Sequence, residues 1–374
     1  MTLINYLSRV HFADGVLEEA LWAELSRRKR RRPLVVLDPT LPNSEVSERV
    51  LAGLPSRSDV VFFRDCPPSP TEAAARRFAA LYDETTRDCV IAFGGRGALE
   101  FAKVARLAVG EDRPFEEIAR LTGDGDASTP DLFLAPRLSG FAAALTASAA
   151  VHTEKGRRAV LTTRRLIPTV AICDPTLGLG AGLNERASAG AEAIVSCVEP
   201  YLAAGYNPPA DGIALDGLRR ALTSLPRIMT DDSIVDRREL AAAGLNGALA
   251  QEKGPGVAAA LINALTALSA AAPDSGSVAR LILPGVLRIG GGRGRDARRL
   301  AVRDMLSLSS ADCLAEGVEA FMKHLPLPAS LSEMGVSIDE LAPAARAAAS
   351  DLTVMRASRA VDEEDLHAVL AAVY

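Results

Sequence analysis

The residues Val90-Ile91-Ala92-Phe93-Gly94-Gly95-Arg96-Gly97-Ala98-Leu99-Glu100-Phe101-Ala102-Lys103 set a short apolar run, three glycines and an amphipathic stretch in direct succession. That order is the layout of a phosphate-binding turn. Glycines let the backbone approach an anion, and the N–H groups of the helix that follows point at it. Arg96 stands where a third small residue is expected. Two readings of it are open: the guanidinium pairs with a phosphate, or its bulk keeps a diphosphate out.

Other chemistry is sparse. The four histidines, His11, His152, His324 and His367, are scattered and read as structural or solvated. The five cysteines, Cys66, Cys89, Cys173, Cys197 and Cys313, are odd in number and show no metal-ligand spacing, so a disulfide framework is not expected. The basic run 27–32 reads as a helix C-terminus favoured by the dipole, and the Gly/Arg-rich tract 290–295 reads as a surface loop. A formal net charge of -5 argues against a nucleic-acid or anionic-membrane partner, and no apolar run is long enough to span a bilayer. No signal peptide is apparent, so the expected setting is a reducing, bacterial-type cytoplasm.

The elements that must position the turn follow from periodicity. Residues 9–12, 33–38, 59–63, 89–93, 132–134 and 169–173 read as strands. Residues 16–31, 44–54 and 98–109 read as helices, and Thr71 caps another. Strand and helix alternate, which predicts an α/β domain with a doubly wound parallel sheet over residues 1–175. Beyond Asp174-Pro175 the apolar spacing is helical almost throughout, with stretches at 187–204, 210–225, 257–271 and 311–323, so residues 176–374 are expected to form an all-α domain.

Read in order, several motifs resemble the iron-containing alcohol dehydrogenase family, with its maleylacetate reductase branch and the related dehydroquinate synthases. They are Arg9-Val10-His11-Phe12-Ala13-Asp14-Gly15, the strand ending at Asp38, the glycine turn, Ile167-Pro168-Thr169-Val170-Ala171-Ile172-Cys173-Asp174-Pro175, Leu281-Ile282-Leu283-Pro284 and Leu325-Pro326-Leu327-Pro328 through Gly335-Val336. The resemblance covers nearly the whole chain. It implies a Rossmann-like nucleotide-binding domain followed by a helical one, with NAD or NADP as cofactor, a small-molecule substrate and a homodimer. Asp38, Gly94, Gly95, Arg96, Gly97 and Pro136 fall on the cofactor-binding positions. In the second loop Pro136 and Gly140 remain, while the family's hydroxyls and acid are mostly replaced. Lys155 and Arg158 are basic groups after that loop, read as solvated charges.

The resemblance also assigns four metal-ligand places. Glu199-Pro200-Tyr201 sets the register, so these places read Glu192, Ser196, Ala259 (with Asn263 at the second position of its His-x-x-x-His segment) and Ser275. One carboxylate and two hydroxyls make a poor site for iron or zinc, so no metal is expected. Glu192, Ser196, Asn263 and Ser275 then have two readings. They are a metal-independent set for polarising a carbonyl and moving a proton, or what remains of a disused site. The first gives an NAD(P)-dependent oxidoreductase interconverting a small alcohol and a carbonyl. The second gives a non-redox binding or accessory protein of a biosynthetic pathway. A lyase related to the dehydroquinate synthases is weaker, because that chemistry also leans on a metal.

Overall fold

The computed structural model describes residues 8–39, 43–119, 129–155, 158–290, 297–309, 312–351, 354 and 360–374. Residues 291–295 of the Gly/Arg-rich tract therefore lie outside the described residues. Two compact units divide the chain, Leu7–Leu179 and Gly180–Tyr374.

The first unit contains β1 (Arg9–Phe12), β2 (Pro33–Leu37), β3 (Val61–Phe63), β4 (Cys89–Gly94), β5 (Asp131–Pro136), β6 (Ser148–His152), β7 (Arg158–Thr162) and β8 (Val170–Cys173). Its helices are α1 (Leu17–Arg27), α2 (Asn43–Ala52), α3 (Glu72–Glu84), α4 (Arg96–Ala108) and the single turns α5 (Phe115–Ile118) and α6 (Phe141–Ala144). Six strands form one parallel sheet in the order β1-β8-β5-β4-β2-β3. β2 and β4 are buried along their whole length, which is why they read as unbroken apolar runs.

Alternate residues feed two cores. Leu34, Val36, Val90, Ala92, Leu132 and Leu134 pack with Phe78 of α3 and with Phe101 and Leu107 of α4. Val35, Leu37, Ile91, Phe93, Phe133 and Ile172 pack with Leu17, Leu21 and Leu25 of α1. The helices after β1 and β2 thus cover one face, and those after β3 and β4 the other. The strand order reverses between β2 and β4, which is where a doubly wound sheet opens a crevice at its carboxyl edge.

Two other features were not legible in the sequence. β6 and β7 pair as an antiparallel hairpin whose Ala149, Val151, Ala159 and Leu161 join the α3–α4 core. The Asp174-Pro175 motif has a structural task. Fully buried Asp174 accepts from the N–H groups of Gly15 (2.8 Å), Leu17 (3.2 Å) and Thr176 (2.9 Å), and from Arg49 Nη2 (3.1 Å). Burial pushes its carboxyl up, but the bonds from Thr176, Gly15 and Leu17 outweigh it and hold the group below its ordinary value. The Asp14-Gly15 turn is thereby fixed to the end of β8.

The second unit is helical among the described residues: α7 (Leu183–Leu202), α8 (Pro208–Ile228), α9 (Ile234–Ala250), α10 (Val257–Leu268), α11 (Ser275–Ile289), α12 (Ala297–Met305), α13 (Leu314–Met322), α14 (Leu341–Ala349) and α15 (Glu363–Ala371). Pro200, Pro226 and Pro284 lie inside helices instead of breaking them. No described helix is long and apolar enough to cross a membrane.

Candidate functional site

In the α/β unit the strand register does the assembly. Leu37 pairs with Phe93 and Gly94 with Pro136, so Asp38, the glycine turn and Pro136 meet at the carboxyl edge where the order reverses. Asp38 Oδ2 accepts from the Gly95 N–H at 3.0 Å, and the Gly94 carbonyl accepts from the Arg137 N–H at 2.7 Å. Gly94 has φ +149°, and a Cβ there would sit 2.5 Å from Asp38 Cβ, so only glycine fits. A Cβ on Gly95 would meet Ser139 Oγ at 2.9 Å, and one on Gly97 the Pro68 carbonyl oxygen at 2.6 Å. The six residues placed here by sequence are therefore gathered in one cradle. Ser139 and Pro68 complete it, and nothing in their local sequence marks them.

The helix begins two residues earlier than its periodicity predicts, so Arg96 is the first helical residue of α4. Its Nε lies 3.0 Å from Glu100 Oε1, an i,i+4 pair along the helix surface. Lys103, one turn further, is fully buried and is no anion ligand. Its Nζ donates to the Ala143 carbonyl (3.1 Å), Thr146 Oγ1 (2.8 Å) and the Ser148 carbonyl (3.2 Å), tying α4 to the chain before β6. Lys155 is exposed and pairs with Glu116 at 3.3 Å. Arg158 opens β7.

In the helical unit one polar stripe runs along α7 at helical spacing: Ser188, Glu192, Ser196 and Glu199. Its two ends hold helix starts. Ser188 Oγ donates to Asp274 Oδ1 at 2.9 Å, and Asp274 caps α11 through the Ser277 N–H at 2.8 Å. Glu199 accepts from the N–H groups of Ala258 and Ala259, at 2.8 and 2.9 Å, at the start of α10. Burial pushes the Glu199 carboxyl up to about 7, against the pull of those N–H groups and that of Val257. The two anchors flank Glu192 and Ser196. Glu192 is buried, and Ser275 is the buried first residue of α11. Asn263 lies one turn beyond Ala259, half-buried on α10. Ser196 is shared with another contact, because a Cβ on Gly247 of α9 would fall 2.6 Å from Ser196 Cβ. Cys197, its neighbour, faces α9 with Sγ 3.6 Å from the Ala243 carbonyl and is packing.

Sequence reasoning missed the anchors. Asp274 carried a findable signal, an Asp three residues ahead of Ser277 and just after Pro273. Ser188 carried none, since its partner lies 86 positions away. Glu199→Gln is expected to lower stability by about 1–3 kcal/mol, because the amide nitrogen would face a backbone N–H in place of a carboxylate oxygen. Urea midpoints at constant m would show it.

As donors for a divalent transition metal these residues do not fit. Glu192 is the sole anionic donor among the four assigned places, Ala259 offers none, and Ser196 and Ser275 offer neutral hydroxyls. Among the described residues no three His, Cys, Asp or Glu side chains come together as a metal-binding group. The α/β cradle does fit a dinucleotide: glycines that leave room, the start of a 13-residue helix, and a carboxylate beside it.

Comparison with known proteins agrees with the fold. The family description "Iron-containing alcohol dehydrogenase" matches residues 8–175. The chain is 33% identical over 352 residues to a 4-hydroxybutyrate dehydrogenase of Cupriavidus necator, covering 91% of each. It is 23% identical over 358 residues to a lactaldehyde reductase of Escherichia coli strain K12, covering 93% of each. Among solved structures, a sulfoacetaldehyde reductase from Bifidobacterium kashiwanohense in complex with NAD+ has the same fold, with a TM-score of 0.85 at 17% identity over 100% of this chain and 98% of that one.

Proposed function

Given that this chain belongs to the iron-containing alcohol dehydrogenase family, we propose that it is an NAD-linked oxidoreductase interconverting a small alcohol and its carbonyl without a bound metal ion. The cradle at the strand-order reversal carries the reading. The N–H groups of the first turn of α4 would hold the diphosphate, and the Asp38 carboxylate a ribose hydroxyl. That carboxylate repels a 2′-phosphate, which favours NAD over NADP. When bound, the nicotinamide supplies the hydride acceptor and donor.

The residues of the helical unit would do the rest. A carbonyl oxygen that gains charge during reduction needs either a cation or hydrogen-bond donors beside it. Ser275, Asn263 and Ser196 offer donors, and Glu192 would deliver or take the alcohol proton. The buried thiols and the unpaired state of all five cysteines suit a reducing cytoplasm.

Protein stripped with a chelator is expected to bind NADH more tightly than NADPH and to oxidise it with a short aldehyde. The similarity to a 4-hydroxybutyrate dehydrogenase makes 4-hydroxybutyrate and its aldehyde the first pair to assay. Turnover that disappears on chelation and returns with iron or zinc overturns the metal-free part. Failure to bind either nucleotide overturns the oxidoreductase. Binding without turnover on any carbonyl favours an accessory role.

A further inference from the structure

Arg96 breaks the glycine cluster at the point where a diphosphate would dock, and the structure shows what surrounds it. Ala98 and Leu99 are buried in the α3–α4 core. Gly94 and Gly95 face Asp38 and Ser139, and Gly97 faces the Pro68 carbonyl. Of the first five residues of α4, the partly exposed side is therefore left to Arg96, Gly97 and Glu100. Arg96 sits between two glycines, Gly95 and Gly97. Its guanidinium is held by Glu100, with Nε 3.0 Å from Oε1 and side-chain exposures of 23% and 15%.

We infer that Arg96 is a clamp for the cofactor diphosphate and that Glu100 is its resting partner. The inference rests on the nucleotide reading above and adds a residue-level device to it. A pair that is still partly open to water can exchange partners when a stronger acceptor arrives. A diphosphate seated on the N–H groups of the first turn carries more negative charge than one carboxylate and accepts from a guanidinium in bidentate fashion. The arginine therefore trades Glu100 for the phosphates when a nucleotide enters. Glu100 acts against binding in two ways: it occupies the arginine, and it places a negative charge beside the incoming anion. The neutral flanks let the side chain move without disturbing α4.

Equilibrium binding measures this without any turnover. NADH and ADP titrations would compare wild type with Arg96→Ala, Arg96→Lys and Glu100→Gln, with adenosine as a probe lacking phosphate. Arg96→Ala is expected to weaken NADH and ADP by roughly tenfold or more and to leave adenosine unchanged. It should also flatten the salt dependence of ADP binding. Arg96→Lys should fall between, and Glu100→Gln should tighten both nucleotides by a few fold. Thermal midpoints should stay close to wild type, since an i,i+4 pair that is still partly open to water adds little to helix stability. If wild type binds NADH and Arg96→Ala binds it equally well or better, the clamp is wrong and the arginine is neutral or obstructive. If wild type binds neither NADH nor ADP, the nucleotide reading itself falls, and this inference with it.

Discussion

Gly276→Ala is expected to destabilise the helical unit by about 3 kcal/mol or more, a large loss for adding one methyl group. Gly276 is the second residue of α11, where the helix start presses on α7. A Cβ there would lie 2.2 Å from the Ser188 carbonyl oxygen, 2.3 Å from its Oγ and 2.5 Å from its carbonyl carbon. Two of these three atoms are backbone and cannot rotate away. The helices must separate, and with them goes the 2.9 Å bond from Ser188 Oγ to the capping carboxylate of Asp274. The cap on the Ser277 N–H then loses the partner that orients it. A second substitution tests the cause. Ser188→Gly removes the hydroxyl but leaves the carbonyl, so the double variant should recover little of the loss. Full recovery would mean that the clash is with the side chain and that the backbones are not in contact. Urea unfolding gives the midpoint, and NADH binding serves as a control expected to hold, because the nucleotide cradle belongs to the other unit. In the proposed mechanism the same change displaces Ser275, so carbonyl turnover should fall further than stability alone explains.

What the sequence revealed and what it hid divide along one physical line. β2 and β4 were legible because both of their faces are buried, which forces an apolar residue at every position. The β6–β7 hairpin was not. Its inward residues include the small Ala149 and Ala159, and the outward Ala150 and Val160 are apolar as well, so no alternation stands out. The start of α4 was hidden by the feature that makes it useful. Glycine at 95 and 97 has low helix propensity, and Gly95 has no side chain to cap with, so periodicity begins only at Ala98. Pro226 and Pro284 look like breaks because a proline gives no N–H, yet one missing bond is tolerated where packing holds the helix on both sides. The candidate residues on α7 came from the family resemblance, which places Glu192 and Ser196 by their distance along the chain from Glu199-Pro200-Tyr201. Their supports, Ser188 with Asp274 and Glu199 with the start of α10, are tertiary and leave no spacing to read. Gly247 against Ser196 is of the same kind: a serine in a ligand place is also a contact surface for α9.

Lys103→Met should reverse its effect on stability with pH, and the reversal follows from burial. The lysine is fully buried, and that desolvation pushes its ammonium down to about 7 from an ordinary 10.5, while Glu100 pulls it partly back. The sign then follows. Between those two values the unfolded chain carries the proton and the folded protein does not, so stability rises with pH across the window. Above 10.5 the neutral amine is fully tolerated. As pH falls the advantage drains away, and below about 7 both states are protonated and the loss is complete. The whole swing is about 5 kcal/mol. Methionine fills the same channel and titrates nowhere, but it gives up the bonds to Ala143, Thr146 and Ser148. The Thr146 hydroxyl, 3.0 Å from the Ala143 carbonyl and 3.3 Å from that of Ser148, can serve only one of them. An orphaned carbonyl costs about 1–3 kcal/mol. Near pH 10 the variant should therefore be the less stable protein by that amount. Near pH 7 it should match or exceed wild type, and the two curves should cross between. Taking the difference between the two proteins cancels the buried thiols and Glu199, which titrate in both. Chemical denaturation at intervals from pH 6 to 10 would draw the curves. A difference that stays flat across that range would mean that Lys103 keeps its proton inside the fold, held by its three oxygen acceptors.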